Sequence, residues 1–296
     1  MGKIFKTIGI IGKYRDNEVI ETLHHLVACL QNFKRHIIVE TETAQPLKKL
    51  KLPIASKNII GKKCDLLVVV GGDGSLLKGA RAALDFNTPV VGINRGTFGF
   101  LTDIKPADID KKINAILEGK YREEKRFMLD ATITQDNQVK KLPPALNEVV
   151  ISAIDTAQMI NFEIFVDNVF VYSQLSDGVI AATPTGSTAY ALSAGGPILH
   201  PKLDAVVLIP KFPHTLSSRP IVLDANQTIK LILSLNLRTD VSITCDGKTV
   251  ATLKSGDTIT IKKTRKNVKL IHPLDYNYYE TLRNKLGWGR KLAKNK

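Results

Sequence analysis

Leu66 to Val70 form an unbroken aliphatic run that opens directly into Gly71, Gly72, Asp73, Gly74 and Ser75, after which Leu76, Leu77, Ala80 and Leu84 recur at helical spacing. A short apolar run closed by glycines reads as a strand buried on both faces, and the spacing beyond it reads as a helix entered through a tight turn. Strands that alternate with helices in this way are joined by right-handed crossovers into a parallel sheet. The same alternation holds on either side. Lys6 to Ile11 reads as a strand, followed by helical spacing of Val19, Leu23, Leu26, Val27 and Leu30; His36 to Glu40 and Pro89 to Ile93 are further strands.

From Tyr121 the texture changes. Asp130 to Thr134, Val149 to Ser152, Phe162 to Val166, Val169 to Ser173, Val206 to Ile209, Thr228 to Leu233, Val241 to Thr244 and Thr258 to Lys262 are short, β-branched runs punctuated by turn residues. The expected architecture is a Rossmann-like α/β domain with a parallel sheet over residues 1–126, then a predominantly β domain over 127–270. A closing segment, 271–296, is expected to be helical from Tyr278 to Leu286 and to return to the first domain. The chain's 296 residues suit such a division.

Composition removes several classes. With 44% apolar and 24% charged residues the chain can bury ordinary cores, which excludes wholesale disorder. The Leu66–Val70 run is far short of the roughly 20 residues that cross a bilayer. Ile8 to Ile11, after Lys3 and Lys6, is a first strand and not a signal peptide, and Lys6 stands where myristoylation of Gly2 would need Ser or Thr. Cys29, Cys64 and Cys245 are scattered, with no metal or redox spacing, and fit a reduced, cytoplasmic setting. Lys and Arg number 42 against 28 Asp and Glu, and 42 − 28 gives a net charge of +14, which suits either nucleic acid or small anionic substrates. Part of the excess lies in a tail with Arg283, Lys285, Arg290, Lys291, Lys294 and Lys296, read as a solvated end.

Four constellations carry chemistry. In open parallel sheets ligands bind beyond the carboxyl ends of the strands, and glycines there let backbone N–H groups approach phosphate oxygens. Asp73, set among such glycines, can accept a proton from an attacking hydroxyl or hold a divalent metal beside a phosphate; otherwise it caps the helix. The segment lacks the residues of a Walker loop and the spacing of a dinucleotide fingerprint. Thr183 to Pro201, TPTGSTAYALSAGGPILHP, gathers hydroxyls into a turn rich in exposed donors, adds the aromatic face of Tyr190, and through Ala189, Ala191 and Leu192 suggests a short packed helix. Asn147 and Glu148 pair an amide suited to a purine edge with a carboxylate suited to ribose hydroxyls. Asn94 to Asp103, NRGTFGFLTD, forms a second glycine loop at the same sheet edge, with Phe98 or Phe100 placed to stack on a base.

Taken together and in this order, GGDG at Gly71–Gly74, NRGTFGFLTD, Asn147-Glu148, SDG at Ser176–Gly178 and the threonine-rich segment closely resemble the NAD kinases, and the ending HPLDYNYYETLRNKLGWGR is similar to that family's C-terminal segment. GGDG alone is shared with lipid kinases and phosphofructokinases; the threonine-rich motif is the specific one. The resemblance implies ATP-dependent phosphorylation of the adenosine-ribose 2′-hydroxyl of NAD to give NADP. It implies a divalent metal, usually magnesium, though no metal ligand is assigned, and a homo-oligomer, tetramer or dimer, whose sites borrow residues across subunits.

By the same resemblance Asp73 is the proton acceptor with Gly74 beside it at the ribose. Asn147 and Thr188 read the adenine edge, Glu148 holds ribose hydroxyls and Phe100 flanks the base. Asp177, with Ala189, Tyr190, Ala191, Leu192 and Ser193 around it, faces the other half of the dinucleotide. Phosphoryl transfer rests on positioning and charge stabilisation, so a plain carboxylate suffices as a late proton acceptor. One position departs from the pattern: many bacterial relatives carry Arg where this chain has Leu175. If that segment is extended, Leu175 and Asp177 share a face, and an apolar group there bears on affinity for anionic groups or on tolerance for the reduced nicotinamide, which leaves the choice between NAD and NADH open. Two alternatives stand beside this reading: a diacylglycerol- or sphingosine-type lipid kinase, which shares GGDG, and a basic nucleic-acid-binding protein, for which no reading motif is present.

Overall fold

The computed structural model describes residues 5–13, 16–95, 99–136, 138–155 and 158–289. They divide into two compact units, one of residues up to Lys125 together with those from Val268, the other Arg126–Asn267. Phe98 and the tail cations Arg290, Lys291, Lys294 and Lys296 lie outside the described residues.

The first unit is the α/β domain. Its elements are β1 (Thr7–Gly12), α1 (Asn17–Asn32), β2 (His36–Glu40), β3 (Ile54–Ala55), α2 (Lys57–Lys63), β4 (Leu66–Gly71), α3 (Asp73–Leu84), β5 (Val90–Asn94) and α4 (Ile109–Leu117). α1 starts where the Asp16 carboxylate accepts from the Glu18 N–H at 3.0 Å, an N-cap that satisfies one of the helix's free donors. The strands lie in the order β3-β2-β1-β4-β5, all parallel. β4 is buried throughout because both its faces are covered. Leu66, Val68 and Val70 join Leu23, Leu26, Ile113 and Ile116 in one cluster. On the opposite face α3 presses so close that a Cβ on Gly79 would lie 2.5 Å from Val69. The chain builds β1, β2 and β3 outward in one direction and then places β4 and β5 on the other side of β1. β1 and β4 therefore flank the topological switch, the place where sheets of this kind leave a ligand crevice.

The second unit is built from β6 (Arg122–Gln135), β7 (Gln138–Lys141), β8 (Glu148–Ala153), β9 (Ile160–Val166), β10 (Val169–Ser176), β11 (Gly178–Ala182), the short α5 (Tyr190–Ser193), β12 (Ala205–Lys211), β13 (Ile221–Asp224), β14 (Ile229–Leu233), β15 (Val241–Cys245), β16 (Lys248–Leu253) and β17 (Thr258–His272). One sheet runs β10-β9-β14-β17, with β6 beside β17; the other runs β13-β12-β11-β8-β15-β16, antiparallel throughout. Inward side chains of both sheets, among them Phe162, Ile164, Leu231, Ile151, Val179 and Leu208, form one shared core. The outer face of the second sheet is apolar too, because Val150, Ile180, Val207 and Ile209 are covered by Ala191 and Leu199 of the threonine-rich segment. That cover explains why β11 is buried at every position.

Residues from Val268 belong to the first unit, where Leu270 pairs with Val90 of β5 in parallel. α6 (Tyr278–Leu286) follows, capped by the Asn277 side chain and closed by Gly287 at φ +65°.

Candidate active site

The turn after β4 is set by Gly71, whose φ of +147° favours glycine and whose added Cβ would lie 2.6 Å from the Ser75 hydroxyl. α3 begins at Asp73, with Gly72 as N-cap and no side-chain cap bond. The Asp73 carboxylate turns instead toward the loop after β5. Oδ2 accepts from the Phe100 N–H at 2.8 Å, and Oδ1 accepts from the Leu101 N–H at 3.1 Å and the Thr102 hydroxyl at 3.4 Å. Gly99 makes this possible, since a Cβ there would stand 2.0 Å from Asp73 Oδ1. Asp73 is therefore not a helix cap; it is a carboxylate held in one orientation by three donors.

The loop that holds it is anchored on both sides. Asn94 N–H donates to Ile104 O at 2.7 Å and Ile104 N–H to Gly92 O at 3.3 Å. Next to it, Asp103 accepts from Nδ1 of His272, a ring 1% exposed, stacked on Tyr276 at 4.0 Å and 3.7 Å from Glu124 through Nε2. This brace has no local signature, because its two members are 169 residues apart.

Gly72 and Gly74 differ from Gly71. Neither has a positive φ, and a Cβ on either would meet nothing within 4 Å. Neither conformation nor packing therefore bars a methyl group at either position, and at Gly74, inside the helix, alanine is better by about 1 kcal/mol. Both flank Asp73 in the chain.

At the topological switch a cleft of about 430 Å³ includes Gly12, Lys13, Lys57, Ser75 and Lys78 in its lining. Lys57 is already committed, its ammonium 2.9 Å from Glu42 and 3.5 Å from Glu40. Burial alone would lower its pKa, but those two carboxylates outweigh it and hold the group above its ordinary value. Among the described residues no carboxylate pairs with Lys13 or Lys78.

In the second unit Asp246 organises the start of β8 by accepting from the N–H groups of Leu146 at 3.1 Å, Asn147 at 2.7 Å and Glu148 at 3.4 Å. Glu148 is 4% exposed, and its Oε2 has no hydrogen-bond partner among the described residues. Burial, reinforced by the nearby Asp246 charge, pushes its carboxyl up to about 8.

The threonine-rich turn folds against this pair. Thr183 N–H donates to Asn147 O at 2.9 Å, and a Cβ on Gly186 would lie 2.1 Å from that same oxygen. The expectation of exposed hydroxyl donors is corrected here. Thr183, Thr185 and Ser187 are buried, and their hydroxyls are spent internally, Thr183 on Leu146 O and Ser187 on Pro184 O, both at 2.6 Å, and Thr185 on Arg126 at 3.3 Å. A buried turn must satisfy its own backbone groups, and the hydroxyls of Thr183 and Ser187 do so. Thr188 remains half-buried, and Ala191 is fully buried against the sheet.

Asp177, Leu175 and Tyr190 gather at the opposite end of β11. Ala182 pairs with Glu148 and Gly178 with Ser152. The four-residue separation puts about 13 Å between the two ends. Asp177 N–H donates to Lys211 O at 3.0 Å, and the Lys211 ammonium lies 5.7 Å from the centre of the Tyr190 ring. Leu175 and Tyr190 are 42% and 44% exposed, Ser193 is exposed, and Ala189 and Leu192 are half-buried. The chain bends at Asp177 on leaving β10, so the extended-strand argument for a face shared with Leu175 does not apply. Phe100 is half-buried. Among the described residues no group of three His, Cys, Asp or Glu is arranged to hold a metal ion.

Two domain families match the chain: the ATP-NAD kinase N-terminal domain over residues 8–121 and the ATP-NAD kinase C-terminal domain over residues 146–273. NAD kinases of Pseudomonas entomophila (strain L48) and Pseudomonas aeruginosa (strain LESB58) are each 49% identical to it over 289 residues, 98% of both chains. Among solved structures it resembles yeast NADH kinase complexed with NADH, with a TM-score of 0.90 at 23% identity, covering 99% of this chain and 91% of that one. It also resembles an NAD kinase from Archaeoglobus fulgidus in complex with ATP, with a TM-score of 0.70 at 25% identity, covering 95% and 97%.

Proposed function

The chain belongs to the ATP-NAD kinase family, and from that premise we propose that Asp73 takes up the proton of the adenosine-ribose 2′-hydroxyl of NAD while that oxygen attacks the γ-phosphorus of ATP. The new O–P bond forms as the bond to the ADP oxygen breaks, leaving NADP and ADP. The phosphorylation of NAD by ATP follows from family membership, which selects it over the lipid-kinase and nucleic-acid alternatives. The assignment of the base rests on one observation, a carboxylate oriented by three donors beside glycines that neither packing nor conformation requires. Incubation of the purified protein with ATP, magnesium and NAD is expected to yield NADP phosphorylated at the 2′ position; no product, with turnover of a lipid or sugar instead, rejects the reading.

The remaining roles follow chemically. Lys13 and Lys78, without carboxylate partners, suit the donor phosphates at the switch-point cleft. The divalent metal is proposed to enter on the ATP phosphates, as part of the substrate. Asn147 and Thr188 recognise adenine, Phe100 flanks it, and Glu148 accepts from ribose hydroxyls through its unpartnered oxygen. Leu175, Asp177, Ala189, Tyr190, Leu192 and Ser193 receive the nicotinamide half.

Gly74→Ala separates function from fold. Its melting temperature should stay level or rise, while kcat/KM falls at least tenfold because the methyl group fills the space beside Asp73. Unchanged kinetics would show that the space serves nothing.

A homo-oligomer, dimer or tetramer, is also proposed, supported by the exposed apolar side chains of edge strand β10, Val169 at 68% and Phe170 at 53%, and by Phe212 at 76%. Phe170→Asp should shift the mass measured by light scattering toward the monomer; an unchanged mass removes this strand from the interface. A cytoplasmic setting fits the three buried cysteines, none of them in a disulfide. Among the described residues no helix is long and apolar enough to cross a membrane.

A further inference from the structure

We propose that Lys211 is a further substrate-binding residue, supplying the positive charge that holds a phosphate of the dinucleotide at the Tyr190 end of the second sheet. The inference rests on the NAD kinase reading and adds to it a residue and a ligand group.

Register places the residue. Gly178 pairs with Ser152 on one side and with Lys211 on the other, so the three form one row across β8, β11 and β12. Two residues further along each strand, Val150, Ile180 and Ile209 belong to the outer-face cluster, which fixes this row on the outer face. Gly178 contributes no side chain, and the gap lets the Lys211 ammonium reach across to the Ser152 hydroxyl at 2.5 Å, with the Tyr190 ring centre 5.7 Å away. Ser152 is further tied down by donating to Asp177 O at 3.2 Å.

Charge gives the residue its task. Lys211 is half-buried, yet among the described residues no carboxylate pairs with it. The nearby Asp177 side chain likewise engages no partner among them. A hydroxyl and a ring face orient an ammonium without neutralising it, and a partly desolvated cation is stabilised by an anionic ligand. Backbone ties fix the segments around it: His214 N–H donates to Leu175 O and Asp177 N–H to Lys211 O, both at 3.0 Å. The row lies about 13 Å from Glu148 on the same face, a span a dinucleotide anchored there by its adenosine ribose can bridge.

The test is steady-state kinetics with NAD, ATP and magnesium on the full chain. Lys211→Met should raise the KM for NAD about tenfold, with kcat within twofold and an unchanged melting temperature. Lys211→Arg should retain the wild-type KM. The wild-type KM should also rise with ionic strength more steeply than that of Lys211→Met. A KM for NAD within twofold of wild type in Lys211→Met overturns the proposal. So does a joint deterioration of kcat, KM and melting temperature that Lys211→Arg does not repair, since that marks a purely structural lysine. Wild-type turnover of NAD in the same assay separates failure of this inference from failure of the reading beneath it.

Discussion

Asp73→Asn is expected to lower kcat about a thousandfold while the KM for NAD changes by no more than a few-fold, the loss typical of removing a positioned general base. The geometry favours so selective an effect. An asparagine fits the same volume and keeps one oxygen to accept from the loop, but its amide nitrogen must oppose a backbone N–H that now donates to a carboxylate oxygen, from Phe100 at 2.8 Å or Leu101 at 3.1 Å. The fold should therefore weaken by about 1 to 2 kcal/mol and stay intact. A residue that merely shaped the turn would show the opposite pattern, lower stability with near-wild-type turnover. Single-turnover rates and thermal melts, taken together, distinguish the two.

The second large effect lies at Glu148, where stability and function should move in opposite directions. Its carboxyl is pushed up to about 8 by burial and then by the Asp246 charge, whereas the unfolded chain titrates near the ordinary 4.5. Between those values the folded protein keeps a proton that the unfolded chain releases. Stability contributed by the protonated carboxyl is complete below the lower value, falls as pH rises through the window, and levels off above about 8. Glu148→Gln cannot ionise, so it should match wild type near pH 4, below the unfolded value, and melt a few degrees higher near pH 9, where each 1 kcal/mol is worth about 2 to 4 °C.

Binding should show the reverse. Ribose hydroxyls that donate to the carboxylate favour its charged form, so wild-type affinity for NAD should climb as pH passes through about 8. The Gln variant should bind about ten to a hundred times more weakly at that pH and lose the climb. Melting curves and titration calorimetry across pH check both arms, and a wild-type affinity flat from pH 6 to 9 counts against the role given to Glu148.

What could be read along the chain depended on how local its cause was. The strand at Leu66–Val70 and the glycine turn declare themselves within a dozen residues, as does the helix Tyr278–Leu286, with Asn277 to start it and Gly287 to stop it. α4 went unread although Ile109, Ile113, Ile116 and Leu117 recur at helical spacing, because nine residues are fewer than periodicity needs to be decisive. The hydroxyls of the threonine-rich turn were legible as donors but not in direction. Thr183 spends its hydroxyl on Leu146 O, 37 positions away, and Ser187 takes the N–H of Leu199, so what looked like a binding surface is largely scaffold. The His272–Asp103 brace and the row through Lys211 are invisible in sequence for the same reason, since both exist only once distant segments lie side by side.

The most direct test is a crystal structure of Asp73→Asn with NAD and ATP bound and turnover blocked. The 2′-oxygen of the adenosine ribose should stand about 2.6 to 3.2 Å from the side chain at position 73, in line with the γ-phosphorus. A well-ordered dinucleotide whose 2′-oxygen faces a different acidic residue, or lies remote from the turn after β4, would contradict the assignment.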